Sequence, residues 1–219
     1  MRIRITLVTI VILLGAASSA ASQQSTKAAD IPIGAFAQLS FMRDAELSPD
    51  GTHLAYIRPI KGRGHLIIQT MDGSGKPAVV PPTADVDIDW IHWANPDRVV
   101  FSVSGSRNRG ITETTETRLW AIDKDGTNAI HIVKPSRISR TGSSLGRDFA
   151  PAQLQDDVIH WLPDEPNFIL VALDGDHNGA DEVRRIDIRG GDFNIVRHDR
   201  VGIQDWLTDQ SGNLRFGWG

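Results

Sequence analysis

Residues Gly142-Ser143-Ser144-Leu145-Gly146 have the G-x-S-x-G spacing of a nucleophile elbow, in which a serine hydroxyl stands clear of a sheet and attacks a carbonyl carbon. The pattern carries that chemistry only between a buried strand and a helix N-terminus. Here it is preceded by Pro135-Ser136-Arg137-Ile138-Ser139-Arg140-Thr141, polar and twice charged, and Pro151 follows where a helix would have to continue. Asp174 and then His177 or His198 follow in the chain order of a hydrolase triad, but a chain with seven histidines supplies such a set without selection for it. Ser144 therefore reads as a loop serine, and no catalytic residue is assigned.

A second constellation is Asp174-Gly175-Asp176-His177-Asn178-Gly179, where oxygen donors alternate with spacers as in the opening of a calcium loop. The twelfth position of such a loop needs a bidentate glutamate, and Arg185 stands there, with Asp181 and Glu182 nearby. A polar hairpin turn between Leu173 and Val183 accounts for the same residues without an ion. Calcium binding by Asp174, Asp176 and Asn178 stays open on the sequence. The histidines at 53, 65, 92, 131, 160, 177 and 198 lack the close spacing of zinc sites on one helix or hairpin. They could converge only through the fold, so no metal and no other cofactor is assigned.

What positions these residues is a repeat. Leu47-Ser48-Pro49-Asp50-Gly51, Trp93-Ala94-Asn95-Pro96-Asp97, Trp161-Leu162-Pro163-Asp164 and Trp206-Leu207-Thr208-Asp209 each place a bulky apolar residue three or four positions before an aspartate. The aspartates lie 47, 67 and 45 residues apart. After the first three comes an apolar run, Leu54–Ile57, Val99–Val103 and Phe168–Leu173, which reads as a strand buried on both faces. A second strand then ends in an acidic turn at Asp72, Asp123 and Asp187.

Pro-Asp-Gly suits a tight turn, because proline presets φ, aspartate bonds to nearby amides and glycine accepts positive φ. Four short strands in a unit of about 45 residues are the layout of a β-propeller blade. The expected fold is all-β, a partial β-propeller of three blades and the start of a fourth over residues 45–219. A β-sandwich is the other architecture that such spacing allows. The additional residues of the long interval fall at Ser104–Glu116 and Lys134–Asp156, which read as inter-strand loops. Trp90, Trp93, Trp161 and Trp206 fall at blade starts, where packing between blades is the expected use of a large aromatic.

The N-terminus carries Arg2 and Arg4, an apolar run Ile5–Leu14 and then small residues through Ala21, the pattern of a secretory signal peptide over residues 1–22. The run is too short to span a bilayer as an anchor, so the expected location is exported, in the periplasm, with no membrane contact after cleavage. Residues 23–44 read as a lead-in to the first blade. Cleavage removes two arginines and no acid, taking the formal charge from −4 to −6. That balance, with no Lys/Arg cluster, argues against a nucleic-acid partner. The absence of cysteine excludes disulfides and thiolate metal sites.

With the repeat in view, the chain resembles the N-terminal part of exported bacterial members of the prolyl oligopeptidase family of serine peptidases. The resemblance rests on Ile31-Pro32-Ile33-Gly34-Ala35-Phe36, on Ala45-Glu46-Leu47-Ser48-Pro49-Asp50-Gly51-Thr52-His53-Leu54-Ala55-Tyr56, and on Trp206-Leu207-Thr208-Asp209 with Gly212-Asn213-Leu214-Arg215. It covers essentially the whole segment after residue 22. The resemblance implies a propeller that gates short peptides to a C-terminal α/β-hydrolase domain, which would be the partner of this segment and would bear the Ser, Asp and His triad. At about 45 residues a blade a seven-bladed ring needs roughly 315 residues, so the chain is expected to be a truncated propeller without a triad. The Ser-Pro-Asp-Gly turn also occurs in non-enzymatic periplasmic propellers of the TolB type, which gives a binding protein as the alternative.

Overall fold

The apolar run after each turn aspartate becomes the second strand of a four-stranded meander. The computed structural model describes residues 41–83, 85–109, 112–135, 151–176 and 178–219. The signal-peptide segment, the Gly142–Gly146 motif and His177 lie outside these residues. In the first sheet β1 (Arg43–Leu47), β2 (His53–Ile60), β3 (Arg63–Thr70) and β4 (Ala78–Val80) pair antiparallel in chain order. The second holds β5 (Asp87–Asn95), β6 (Arg98–Arg109), β7 (Thr112–Asp123) and β8 (Ile130–His131), and the third β9 (Asp157–His160), β10 (Phe168–Leu173), β11 (Glu182–Asp187) and β12 (Phe193–Arg197). A two-stranded sheet follows, β13 (Asp205–Thr208) with β14 (Leu214–Trp218). No helix occurs among the described residues. This is a partial β-propeller: three blades and the start of a fourth.

The turn between β1 and β2 is held by the carboxylate the sequence singles out. Asp50 Oδ1 accepts hydrogen bonds from Ser48 Oγ at 2.6 Å, Thr52 N at 3.1 Å and Thr52 Oγ1 at 2.8 Å. Gly51 sits at φ 72°, open only to residues that tolerate left-handed backbone. Those donors stabilise the charged form and bring the Asp50 carboxyl down to about 2. Asp209 repeats the device before β14, accepting from Ser211 N, Asn213 N and Arg215 Nε at 2.9 Å each.

Each sheet is covered by the next. Ala55, Ile57, Leu66 and Ile68 of the first sheet share one buried cluster with Ile88, Trp93, Val99 and Phe101 of the second. Val100, Leu119 and Ala121 of the second share another with Ile169, Val171 and Ile186 of the third. Leu162, Leu170 and Val183 meet Trp206 and Leu214 of the fourth. Val99 and Val100, adjacent in β6, thus face different neighbours, which is why the strand reads as an unbroken apolar run. Each fully buried aliphatic side chain contributes about 1.5–3 kcal/mol to this stacking.

The four blade-start tryptophans lie between sheets. Trp93 Nε1 donates to Glu46 O at 3.0 Å, Trp206 Nε1 donates to Asp181 O at 2.9 Å, and Trp90 and Trp161 meet edge to face at 6.2 Å. One expectation is corrected: Ser104–Arg109 and Thr112–Glu116 are strand, not loop. Strands β6 and β7 continue as an antiparallel ladder from Ser104↔Thr117 to Arg109↔Thr112. Backbone pairing carries the ladder outward where apolar burial has ended, and its Ser, Thr and Arg side chains suit a solvated hairpin.

Candidate functional site

In each four-stranded sheet the first-to-second and third-to-fourth turns are at one end, and the second-to-third hairpin and the crossover to the next sheet are at the other. The sheets stack with these ends in common. Arg43 Nη1 donates to Asp89 O at 3.1 Å and Glu46 Oε2 accepts from Trp93 N at 2.9 Å, so β1 and β5 run side by side in the same direction. Thr208 Oγ1 donates to Ile159 O at 3.2 Å and His160 Nε2 meets Gln210 O at 3.2 Å, so the same holds for β9 and β13. The turn end is tight and self-satisfied. The crossover end carries the longer segments and is where chemistry would be placed.

Between the first and second sheets this end opens into a polar groove of about 620 Å³, with Asp85, Asp87, Ser104, Ser106 and Thr115 on its walls. Its cation, Arg63, donates from Nη2 to Thr83 O at 2.6 Å and Val86 O at 2.8 Å, which ties the crossover to β3. Among the described residues no histidine lines the groove, so none of them sets an imidazole base beside its hydroxyls.

Between the second and third sheets the crossover is pinned by Asp156. Its carboxylate accepts from Ser102 Oγ at 2.7 Å, Thr117 Oγ1 at 2.6 Å and Trp90 Nε1 at 3.4 Å. Glu116, 6% exposed, is paired with Arg107 at 3.3 Å and Arg118 at 2.5 Å. These charges are consumed in positioning.

The third sheet gathers the remaining carboxylates. Burial raises Asp181 to about 6, and the charges of Asp174, Asp157 and Asp205 add to the effect. Burial, then Asp205 and Asp156, raises Asp157 as well. The candidate calcium loop closes on itself: Asp174 Oδ1 accepts from Asn178 N at 2.9 Å and Oδ2 from Gly179 N at 3.0 Å. Asn178 Nδ2 donates to Asp176 Oδ2 at 3.2 Å and to Asp199 Oδ2 at 2.6 Å. Arg185, in the place of the twelfth ligand, instead pairs with Glu165 and lies 3.3 Å from the Phe168 ring centroid. These loop oxygens are organised around amides.

Beside that loop the fold does what the histidine spacing could not reveal. Val183 pairs with Arg197, so the neighbouring residues Glu182 and His198 meet at the end of the β11–β12 ladder. Glu182, His198 and Asp199 offer a carboxylate oxygen, an imidazole nitrogen and a second carboxylate oxygen, all within 4.8 Å of one another. The only sequence signal for this was the acidic pair Asp181-Glu182. Ser144 lies outside the described residues, and Asp174 spends both carboxylate oxygens on its own loop.

No family model matches the sequence, and no curated protein matches it significantly. Among solved structures, an acylaminoacyl peptidase in complex with Z-Gly-Gly-Phe-chloromethyl ketone is similar at 15% identity and a TM-score of 0.43, over 74% of this chain and 26% of its own. The AtxE2 isopeptidase with Astexin3-dC4 bound is similar at 14% identity and a TM-score of 0.32, over 78% of this chain and 39% of its own. An oligogalacturonate lyase in complex with manganese is similar at 11% identity and a TM-score of 0.33, over 80% and 58%. The chain thus spans between about a quarter and three fifths of the length of these proteins.

Proposed function

We propose that this chain is the propeller portion of an exported serine peptidase of the prolyl oligopeptidase type, which gates short peptides toward an α/β-hydrolase domain carried by the full-length protein. The observation that carries the reading is the repeated blade: three consecutive four-stranded meanders stacked face to face, introduced by the Ala45–Tyr56 segment on which the family resemblance rests. In this reading the chain binds and filters, and the acyl-transfer chemistry belongs to the hydrolase domain.

The test is to express the protein from its complete reading frame, and this chain separately, and to treat both with a fluorophosphonate probe and short chromogenic peptides. The expected result is labelling and turnover in the longer protein, at a serine outside residues 1–219, and neither in the chain alone. Labelling of Ser144 in the isolated chain would overturn the reading. A complete frame that encodes only further blades would establish the TolB-like binding alternative in its place.

A further inference from the structure

We infer that Glu182, His198 and Asp199 form a divalent transition-metal site at the crossover end of the third sheet. The three donors come from the start of β11, the residue after β12 and the next position, brought together by the β11–β12 register. One imidazole nitrogen with two carboxylate oxygens is a donor set that suits zinc or manganese better than calcium, which favours six or more oxygens. Zinc bonds of about 2.0–2.2 Å place tetrahedral donors about 3.4 Å apart. The donor atoms lie within 4.8 Å of one another, so a bound ion would draw them together by up to about 1.4 Å.

Two of the three ligands are already oriented by neighbouring donors, as metal ligands commonly are. Arg184, 1% exposed, donates from Nε to Glu182 Oε1 at 2.6 Å and from Nη1 to Lys134 O at 2.8 Å, and its guanidinium lies 4.3 Å from the Phe193 ring centroid. Asn178 Nδ2 holds Asp199 Oδ2 at 2.6 Å. Gly175 keeps the loop close above this pair: a β-carbon there would collide with the Arg184 guanidinium and come within 2.6 Å of Glu182 Oε1. Glu182 shares its charge with Arg184, whose Nη2 lies 2.5 Å from Glu182 Oε1, while Asp199 and the exposed His198 face the ion without a paired cation among the described residues; three protein donors leave the fourth position of a tetrahedral site to water.

The experiment is calorimetric titration of the chain with Zn2+ at pH 7.5, with Ca2+ in a parallel arm. The expected result is uptake of one Zn2+ per chain, weakened about 10- to 100-fold or more in both His198→Ala and Asp199→Asn, and unchanged in Asp176→Asn. His198 is exposed, so its loss leaves the core intact, and thermal melts of each variant verify that. Absence of saturable Zn2+ uptake, or uptake unaltered by His198→Ala, overturns the site. So does a preference for Ca2+ that Asp176→Asn abolishes, which would place the ion in the Asp174–Asn178 loop.

Discussion

Arg98 bolts the second sheet to the third, and its counter-charge can be removed cleanly. The guanidinium is 2% exposed, pairs through Nη1 with the Asp123 carboxylate, and donates from Nε to Ile188 O at 2.8 Å and from Nη2 to Asn128 O at 3.1 Å. Replacing Asp123 by alanine leaves a cation in the interface facing only carbonyl dipoles. Breaking a buried pair in this way costs about 3–5 kcal/mol, which for a domain of this size lowers Tm by roughly 6–20 °C. Arg98→Met is expected to cost less, about 1–3 kcal/mol. Asp123 is 21% exposed and keeps the Asn128 Nδ2 donor at 2.7 Å, so its charge stays hydrated while only neutral carbonyls lose partners. In the Arg98→Met background the Asp123→Ala change should then cost less than about 1 kcal/mol, because no buried cation remains to be stranded. Urea denaturation of the four proteins measures this cycle. An Asp123→Ala cost that is small, or that is the same in both backgrounds, refutes the idea that this charge is held by a specific partner at the sheet interface.

Two further outcomes are expected. A β-carbon at Gly105 would lie 2.7 Å from Asp85 O and 2.9 Å from Val86 Cγ1, so Gly105→Ala should destabilise by about 1–3 kcal/mol in denaturant titration, whereas Gly62→Ala, whose position has no neighbour within 4 Å, should cost only the strain of its φ of 81°. His131 is held below its ordinary range by burial, against the opposing effect of Gln155 Oε1 at 2.6 Å and with a smaller push from Arg118. Its unfolded form takes up a proton near pH 6.5 while the folded form resists, so it contributes stability that is complete above about pH 6.5 and is lost as pH falls through the lower folded value. Relative to His131→Gln, the natural chain should lose more stability between pH 7 and pH 5, read by denaturation at each pH.

The centre of each sheet was legible because strands covered on both faces abandon alternation, as Val99–Val103 and Phe168–Leu173 do, and because Asp50-Gly51 marks a turn with its own hydrogen-bonding logic. The outer strands β4, β8 and β12 were not, since short strands such as Ile130–His131 carry no periodic signature and exist by pairing with a neighbour. The β6–β7 extension was read as loop for a related reason: polarity reports exposure, and a solvated hairpin is exposed and still ordered by its ladder. Glu182 and His198 stand 16 positions apart, and their meeting depends on a register with a bulge between Val183 and Arg184. A slip of one position would turn His198 to the opposite face. No composition or spacing rule encodes that.

The serial stacking of meanders also bears on how such a chain can have arisen. Every interface poses the same geometric problem and answers it with the same kind of residues, so a duplicated unit arrives already matched to the unit before it and to the one after. Growth by copying then needs no simultaneous redesign of a shared centre, and divergence is free to concentrate in the hairpins and crossover segments of one end. The inserted stretch between Asp97 and Asp164, which breaks an otherwise even spacing, is the kind of departure that this freedom permits.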